Sequence, residues 1–307
     1  MNANRAAVLT DAVRVRELAT VLRACDDAGA MPVVLKGAAL AHTHYAASWH
    51  RPRADADLLI APESRDRVFA LLNRLGYVRC ALISGELVMY QAAFERIDRL
   101  GIEHVLDIHW RIANPQVVSL VLSHDELLER SVTVSIEDYP MRVPSAVDSL
   151  LLACVHRVAH HPDLEKPFWI EDIHLLASRL RPVEWQTFAA RAADRSIRAI
   201  CCQGLLRAQE RFRTRIPADV LTTLSEKHGE PSAIFVRKGL RPVDRLASDL
   251  RSLGTLAAAR LVREHLFPPA EFMRAKYGVT RRALLPVYYI ARVLSGIPKW
   301  FRAYRAA

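Results

Sequence analysis

The sequence predicts an α+β protein: an N-terminal α/β unit with a mixed sheet over residues 1–144, followed by a mainly helical part over residues 145–307. Two observations predict this division. Helix-like and strand-like patterns alternate as far as Pro144, and beyond it apolar residues recur at helical spacing almost without interruption. A third supports a folded chain throughout: 51% hydrophobic and 25% charged residues is the composition of a protein that buries a full core, and 307 residues are enough for two domains.

The elements follow in order. Leu9, Val13, Leu18 and Leu22 give residues 5–28 an amphipathic helical spacing that Gly29 closes. Pro32-Val33-Val34-Leu35 reads as a short strand, which breaks at Lys36-Gly37 into an Ala-rich helix over Ala38–Ala47. A polar loop, Ser48–Arg53, leads to the strand Ala54–Ile60, alternating at first and apolar at its end. Pro62-Glu63 opens a helix through Leu75, with Val68, Leu71, Leu72 and Leu75 on one face and Gly76 as its C-terminal stop. Tyr77–Cys80, Leu87–Ile97 and Ile102–Trp110 read as strands, and Val132–Ile136 with Met141–Val143 as a hairpin turning at Glu137–Pro140. Helices are expected at about 145–161, 167–180, 182–194, 196–214, 217–228, 239–266 and 280–295, punctuated by prolines.

Composition narrows the functional classes. The five cysteines, Cys25, Cys80, Cys154, Cys201 and Cys202, show no CxxC spacing, so a disulfide framework or zinc knuckle is not expected. No apolar run reaches the ~18 residues of a membrane span and Met1–Asp11 has no signal-like apolar segment, so the expected location is cytoplasmic. Net charge is +10, and residues 251–307 carry eleven Lys/Arg against two acids, Glu264 and Glu271. Such a chain attracts phosphate groups. Tyr288, Tyr289, Trp300, Phe301 and Tyr304 alternate there with Arg292, Lys299, Arg302 and Arg305. The expected arrangement is an amphipathic terminal helix docked on its own domain; base stacking and a membrane interface are the alternatives.

The chemistry concentrates at Asp55-Ala56-Asp57. Residues i and i+2 of a strand project on one face, where two carboxylates repel and favour a divalent cation. Asp107 interrupts the apolar strand Val105–Trp110 and shares its face with His109. A buried acid in such a strand is costly unless it is paired or bound to metal. Asp55, Asp57 and Asp107 together make a candidate magnesium platform, since Mg²⁺ takes oxygen ligands from one or two carboxylates plus phosphates and water. Lys36 and Gly37 stand at a strand-to-helix turn that favours phosphate, with an ion pair from Lys36 to Asp55 or Asp57 as the alternative. Arg51 and Arg53 precede the acids and are candidate phosphate clamps. His156 and His160 lie four apart, but without a glutamate in HExxH spacing they are expected to pack rather than bind metal. His109 is a candidate for orienting Asp107, and Asp172 for linking helices.

Taken as a set, Val34-Leu35-Lys36-Gly37-Ala38-Ala39-Leu40, Arg51-Pro52-Arg53-Ala54-Asp55-Ala56-Asp57-Leu58-Leu59-Ile60, Leu75-Gly76-Tyr77 and Leu106-Asp107-Ile108-His109-Trp110-Arg111 resemble an uncharacterised bacterial nucleotidyltransferase-like family. That family belongs to the polymerase-beta-type nucleotidyltransferase superfamily. The likeness continues through His156, His160, Trp169–Ile173 and Phe267-Pro268-Pro269. It implies the superfamily fold and two magnesium ions. It also implies transfer of a nucleoside monophosphate from a nucleoside triphosphate, expected to be ATP, to a hydroxyl, phosphate or peptide acceptor. Carried over residue by residue, Asp55 and Asp57 match the metal-binding pair and Asp107 the third carboxylate. The superfamily has Gly-Ser where this chain has Lys36-Gly37. The expected partners are a nucleoside triphosphate and an acceptor that is a small molecule or peptide rather than RNA. A non-catalytic adaptor that retains the fold and an RNA-directed transferase are the competing readings.

Overall fold

A computed structural model describes residues 3–80, 84–159, 166–226, 229–237 and 239–305. The N-terminal part contains the helices α1 (Ala3–Asp27), α2 (Lys36–Thr43) and α3 (Arg65–Arg74) and the strands β1 (Val33–Leu35), β2 (Asp55–Leu59), β3 (Val78–Arg79), β4 (Gln91–Ile97) and β5 (Glu103–His109). Two short helices, α4 (Gln116–Ser119) and α5 (His124–Glu129), lead to the hairpin β6 (Val132–Ile136) and β7 (Tyr139–Val143). Helices follow: α6 (Ala146–Ala159), α7 (Pro167–Ala177), α8 (Pro182–Asp194), α9 (Arg198–Phe212), α10 (Ala218–Ser225), α11 (Pro242–Ser252), α12 (Thr255–Leu266), α13 (Ala270–Tyr277) and α14 (Leu285–Arg305). The chain thus adopts the expected α+β fold.

The sheet runs β1-β2-β5-β4-β3. Only β2 and β5 are parallel; β1 with β2, β5 with β4 and β4 with β3 are antiparallel, so the sheet is mixed. Alternation along the strands divides its faces. Val34, Leu58, Ile60, Leu106 and Ile108 pack with α1 and α3 residues such as Val21, Leu22, Val68 and Leu72. Val33, Leu35 and Leu59 point the other way and join the core of the helical half, with Leu151, Ile173, Phe188 and Leu205. The face between the two halves of the chain therefore carries the odd-numbered residues of β2 and β5.

The structure departs from the expected elements at several points. The helix expected over 239–266 is two, because Gly254 lies outside the helical region at the start of α12. The helices α4, α5 and α13 were not expected; α5 opens with a capping box of Ser123 and Glu126, a start signal that is present in the sequence. The hairpin turns at Glu137 and Asp138, whose φ values of 46° and 58° are those of a type I′ turn.

Candidate active site

Strand register brings the acids together. Asp57 pairs with Asp107 across the parallel β2–β5 ladder, and Leu35 pairs with Asp57 across β1–β2. One row across the sheet therefore reads Leu35, Asp57, Asp107, with Asp55 two residues before Asp57 on the same face. Apolar residues at Leu58, Ile60, Leu106 and Ile108 hold the opposite face in the core. That burial fixes the register, since a slip by one residue would invert both strands.

The electrostatics of the row are uneven. Lys36 Nζ donates to Asp57 Oδ1 at 2.5 Å, and His109 Nε2 donates to the same oxygen at 2.9 Å. Burial works against the Asp57 carboxylate, but the Lys36 charge and the His109 hydrogen bond outweigh it and hold the group well below the usual carboxylate range. Asp107 has no such cation at contact distance among the described residues. Burial, then the charges of Asp57 and Asp55, push it up to about 6. Asp55 is also raised, by burial and by Asp57. His109 is lowered by burial and by Lys36, which keeps the imidazole neutral and able to donate to Asp57. Asp57, Asp107 and His109 each offer a ligand atom, and these atoms lie within 4.8 Å of one another. A half-buried group of carboxylates with too little positive charge beside it fits a hard divalent cation, and oxygen donors are what Mg²⁺ selects.

Lys36 reaches Asp57 from an unusual backbone. It is the first residue of α2 and has φ = 52°, in the left-handed region that glycine favours. Gly37 follows without a side chain, and a Cβ there would meet the Arg51 guanidinium at 3.5 Å.

The row forms the floor of a cleft of about 500 Å³ between the sheet and the helical half. Lys36, Gly37, Arg51, Arg53, Asp55, Asp57 and Asp107 all line it, so all seven residues singled out from the sequence come together. Their donors are not equally available. Arg51 is a buried fork on Asp172, with Nε to Oδ1 at 2.8 Å and Nη2 to Oδ2 at 2.7 Å, while Nη1 donates to the Pro52 carbonyl. Tyr45 donates its hydroxyl to Asp172 Oδ1, and the Phe168 ring lies 4.2 Å from the Arg51 guanidinium carbon. Arg53 pairs with Asp11 at 2.5 Å and donates to the Ser48 carbonyl. Arg51 and Arg53, expected as phosphate clamps, are both engaged here within the protein, holding the loop before β2. Lys36, expected on phosphate or on an acid, is on Asp57, and His109, expected beside Asp107, also hydrogen-bonds Asp57. Asp172, expected to link helices, instead joins α7 to Tyr45 and to Arg51 in the loop before β2.

Lys166 and Gln91 are among the lining residues that the sequence did not single out. Lys166 stands at the mouth, its Nζ 5.6 Å from the Phe168 ring centroid and close enough to Asp55 to oppose that group's rise. Gln91 opens β4 opposite His109, and its Oε1 is buried without a hydrogen-bond partner among the described residues. Neither lies in a motif; only the fold brings them to the acids. His156 meets Trp169 edge-on at 5.2 Å, whereas His160 lies outside the described residues.

Among solved structures, the chain is similar to the antibiotic-resistance factor ANT(2'')-Ia, solved in solution: 20% identity over 61% of this chain and 93% of that one, with a TM-score of 0.42. No curated protein matches the chain. Residues 1–213 match the family described as uncharacterised nucleotidyltransferase, and the chain belongs to that family.

Proposed function

We propose that this member of the uncharacterised nucleotidyltransferase family is a magnesium-dependent enzyme. It moves a nucleoside monophosphate from a nucleoside triphosphate, ATP by preference, to a small-molecule or peptide acceptor. The observation that carries the reading is the row of Asp57 and Asp107 in register on parallel strands, with Asp55 beside them, at the floor of a cleft large enough for a nucleotide. Unbalanced carboxylates at that place are hard to explain as structure and easy to explain as ligands.

A divalent cation held by Asp55, Asp57 and Asp107 would offset the charge of the triphosphate and acidify the attacking hydroxyl. The chain's own groups supply the rest. Asp107, level with Asp57 in the row, is the carboxylate that would take the hydroxyl proton. His109 keeps Asp57 oriented through the 2.9 Å bond. The backbone N–H groups at the start of α2, beginning at Gly37, and the ammonium group of Lys166 are the phosphate-binding set, while Lys36 stays on Asp57. Gln91, whose Oε1 is buried without a partner among the described residues, is a candidate contact for the acceptor substrate. Residues 1–144 are proposed as the catalytic domain and 145–307 as the accessory domain that closes the cleft.

The test is transfer of label from ATP, CTP, GTP and UTP with Mg²⁺ into small-molecule, peptide and RNA fractions. Asp57→Asn and Asp107→Asn each lower transfer by about 10³-fold or more, the loss typical when a group that acts in the transition state is removed. Undiminished transfer, or undiminished Mg-ATP binding by Asp57→Ala, refutes the assignment. Salt-sensitive capture of label by tRNA would move the acceptor to RNA.

A further inference from the structure

The last helix of the molecule is turned inside out. Between residues 285 and 295 the one charged side chain, Arg292, faces inward: it donates to the His265 carbonyl at 2.9 and 3.2 Å and to the Tyr277 hydroxyl. Tyr289 also faces inward, with its hydroxyl on the Pro268 carbonyl, and Tyr288 lies against the Tyr277 ring. The outward face is Pro286, Val287, Ile290, Ala291 and Leu294, with Leu284 just before it. Val287, Ile290 and Leu294 are each 60% exposed. A surface helix ordinarily shows the reverse arrangement. Three turns of contiguous apolar surface facing water mark a docking face rather than scattered exposed residues.

Charge identifies what docks there. Residues 272–307 contain no acid, and exposed Arg281 and Arg282 stand at the head of the face. An apolar face headed by exposed cations, on a segment whose sequence holds no acid, matches the boundary of an anionic bilayer, where acyl chains take the apolar side chains and headgroups meet the cations. A nucleic-acid surface would need cations on the face itself, and the face has none. A single helix face of three turns falls well short of the ~800 Å² per partner that a stable dimer buries. No described helix is long and apolar enough to cross a membrane, so the contact is along the surface.

We propose that α14 lays its outer face on anionic lipid surfaces and brings the chain to them. The test is flotation of the full chain with vesicles of phosphatidylcholine, alone or mixed with phosphatidylglycerol. Binding is expected to the mixed vesicles only, weakening as salt is raised. Ile290→Glu with Leu294→Glu lowers that binding at least about tenfold, since two exposed aliphatic side chains lose their burial in lipid. Both positions are exposed, so the melting temperature stays unchanged. Arg281→Glu with Arg282→Glu lowers binding and flattens its salt dependence. Three results overturn the proposal: no binding to the mixed vesicles, equal binding by the Ile290→Glu, Leu294→Glu chain, or a concentration-dependent dimer that this variant abolishes. Loss of tRNA binding in the same variant, without loss of vesicle binding, does so too.

Discussion

Arg51 and Asp172 meet as one cation and one anion, fork to carboxylate, each side chain only 6% exposed. A few residues along the chain, Asp55, Asp57 and Asp107 gather three anions against the ammonium of Lys36, with Lys166 at the mouth of the cleft. Both groups are held by the same cleft wall, but their charge balance differs. At the fork, the Asp172 hydrogen bonds and charge more than offset the burial that works against the Arg51 cation, and the guanidinium stays firmly protonated. In the acid row, Asp57 is compensated while Asp107 and Asp55 are pushed up. Matched buried charge joins two parts of a protein; unmatched buried charge weakens the empty state and is relieved by a ligand of opposite sign. The fork therefore reads as the joint between sheet and helices, and the row as the proposed site of the chemistry.

The largest expected effect breaks the joint. Asp172→Ala leaves the Arg51 guanidinium buried without its anion, which costs about 3–5 kcal/mol in urea unfolding. Replacing both partners by apolar residues, Arg51→Met with Asp172→Leu, recovers most of that loss, because two desolvation costs disappear together. A loss below about 1 kcal/mol for Asp172→Ala would equate the pair with an exposed surface bridge.

The row predicts the opposite sign. Asp107 has a folded-state pKa of about 6, above its unfolded value of 3.8, so folding disfavours its ionised form. Its contribution to stability is favourable below the unfolded value and is lost as pH rises through about 6. In chelator at pH 7.5, Asp107→Asn is expected to stabilise the chain by about 1 kcal/mol, a figure reduced for partial exposure. The gain vanishes by about pH 4. Added Mg²⁺ raises the melting temperature of the parent and not of the variant, so the ranking of the two reverses with the ion. Equal responses to Mg²⁺ would remove Asp107 from the site.

Much of the row was legible in the sequence, because strand alternation is local: Asp55 and Asp57 two apart, and Asp107 between Leu106 and Ile108, declare their faces without a structure. The fork was not. Arg51 and Asp172 are 121 residues apart, and nothing near Arg51 distinguishes a phosphate clamp from a buried strut. Lys166 and Gln91 were missed for the same reason, since only the topology carries them to the acids. Among the elements, α5 was legible through its capping box, whereas Gly254 sits in an otherwise helical pattern and hid the break between α11 and α12. The periodicity of residues 280–295 was visible but its sense was not. A helix with its apolar face outward has the same spacing as one with that face buried.

The smallest effect separates two things that Lys36 does. Its ammonium compensates Asp57, and its backbone sits at φ = 52°, where a side chain costs on the order of 1 kcal/mol. Lys36→Met removes the first and keeps the second. Lys36→Gly removes both, at the expense of some added freedom in the unfolded chain. Both variants are less stable than the parent, because Asp57 loses its cation in a site that is 5% exposed. The glycine variant is nevertheless expected to exceed the methionine variant by roughly 0.5–1 kcal/mol in urea unfolding. That ordering would mean that the turn has a backbone suited to glycine, with a lysine held in it against its conformational preference to keep an ammonium on Asp57. The reverse ordering would place the cost elsewhere and leave the lysine as an ordinary counter-charge.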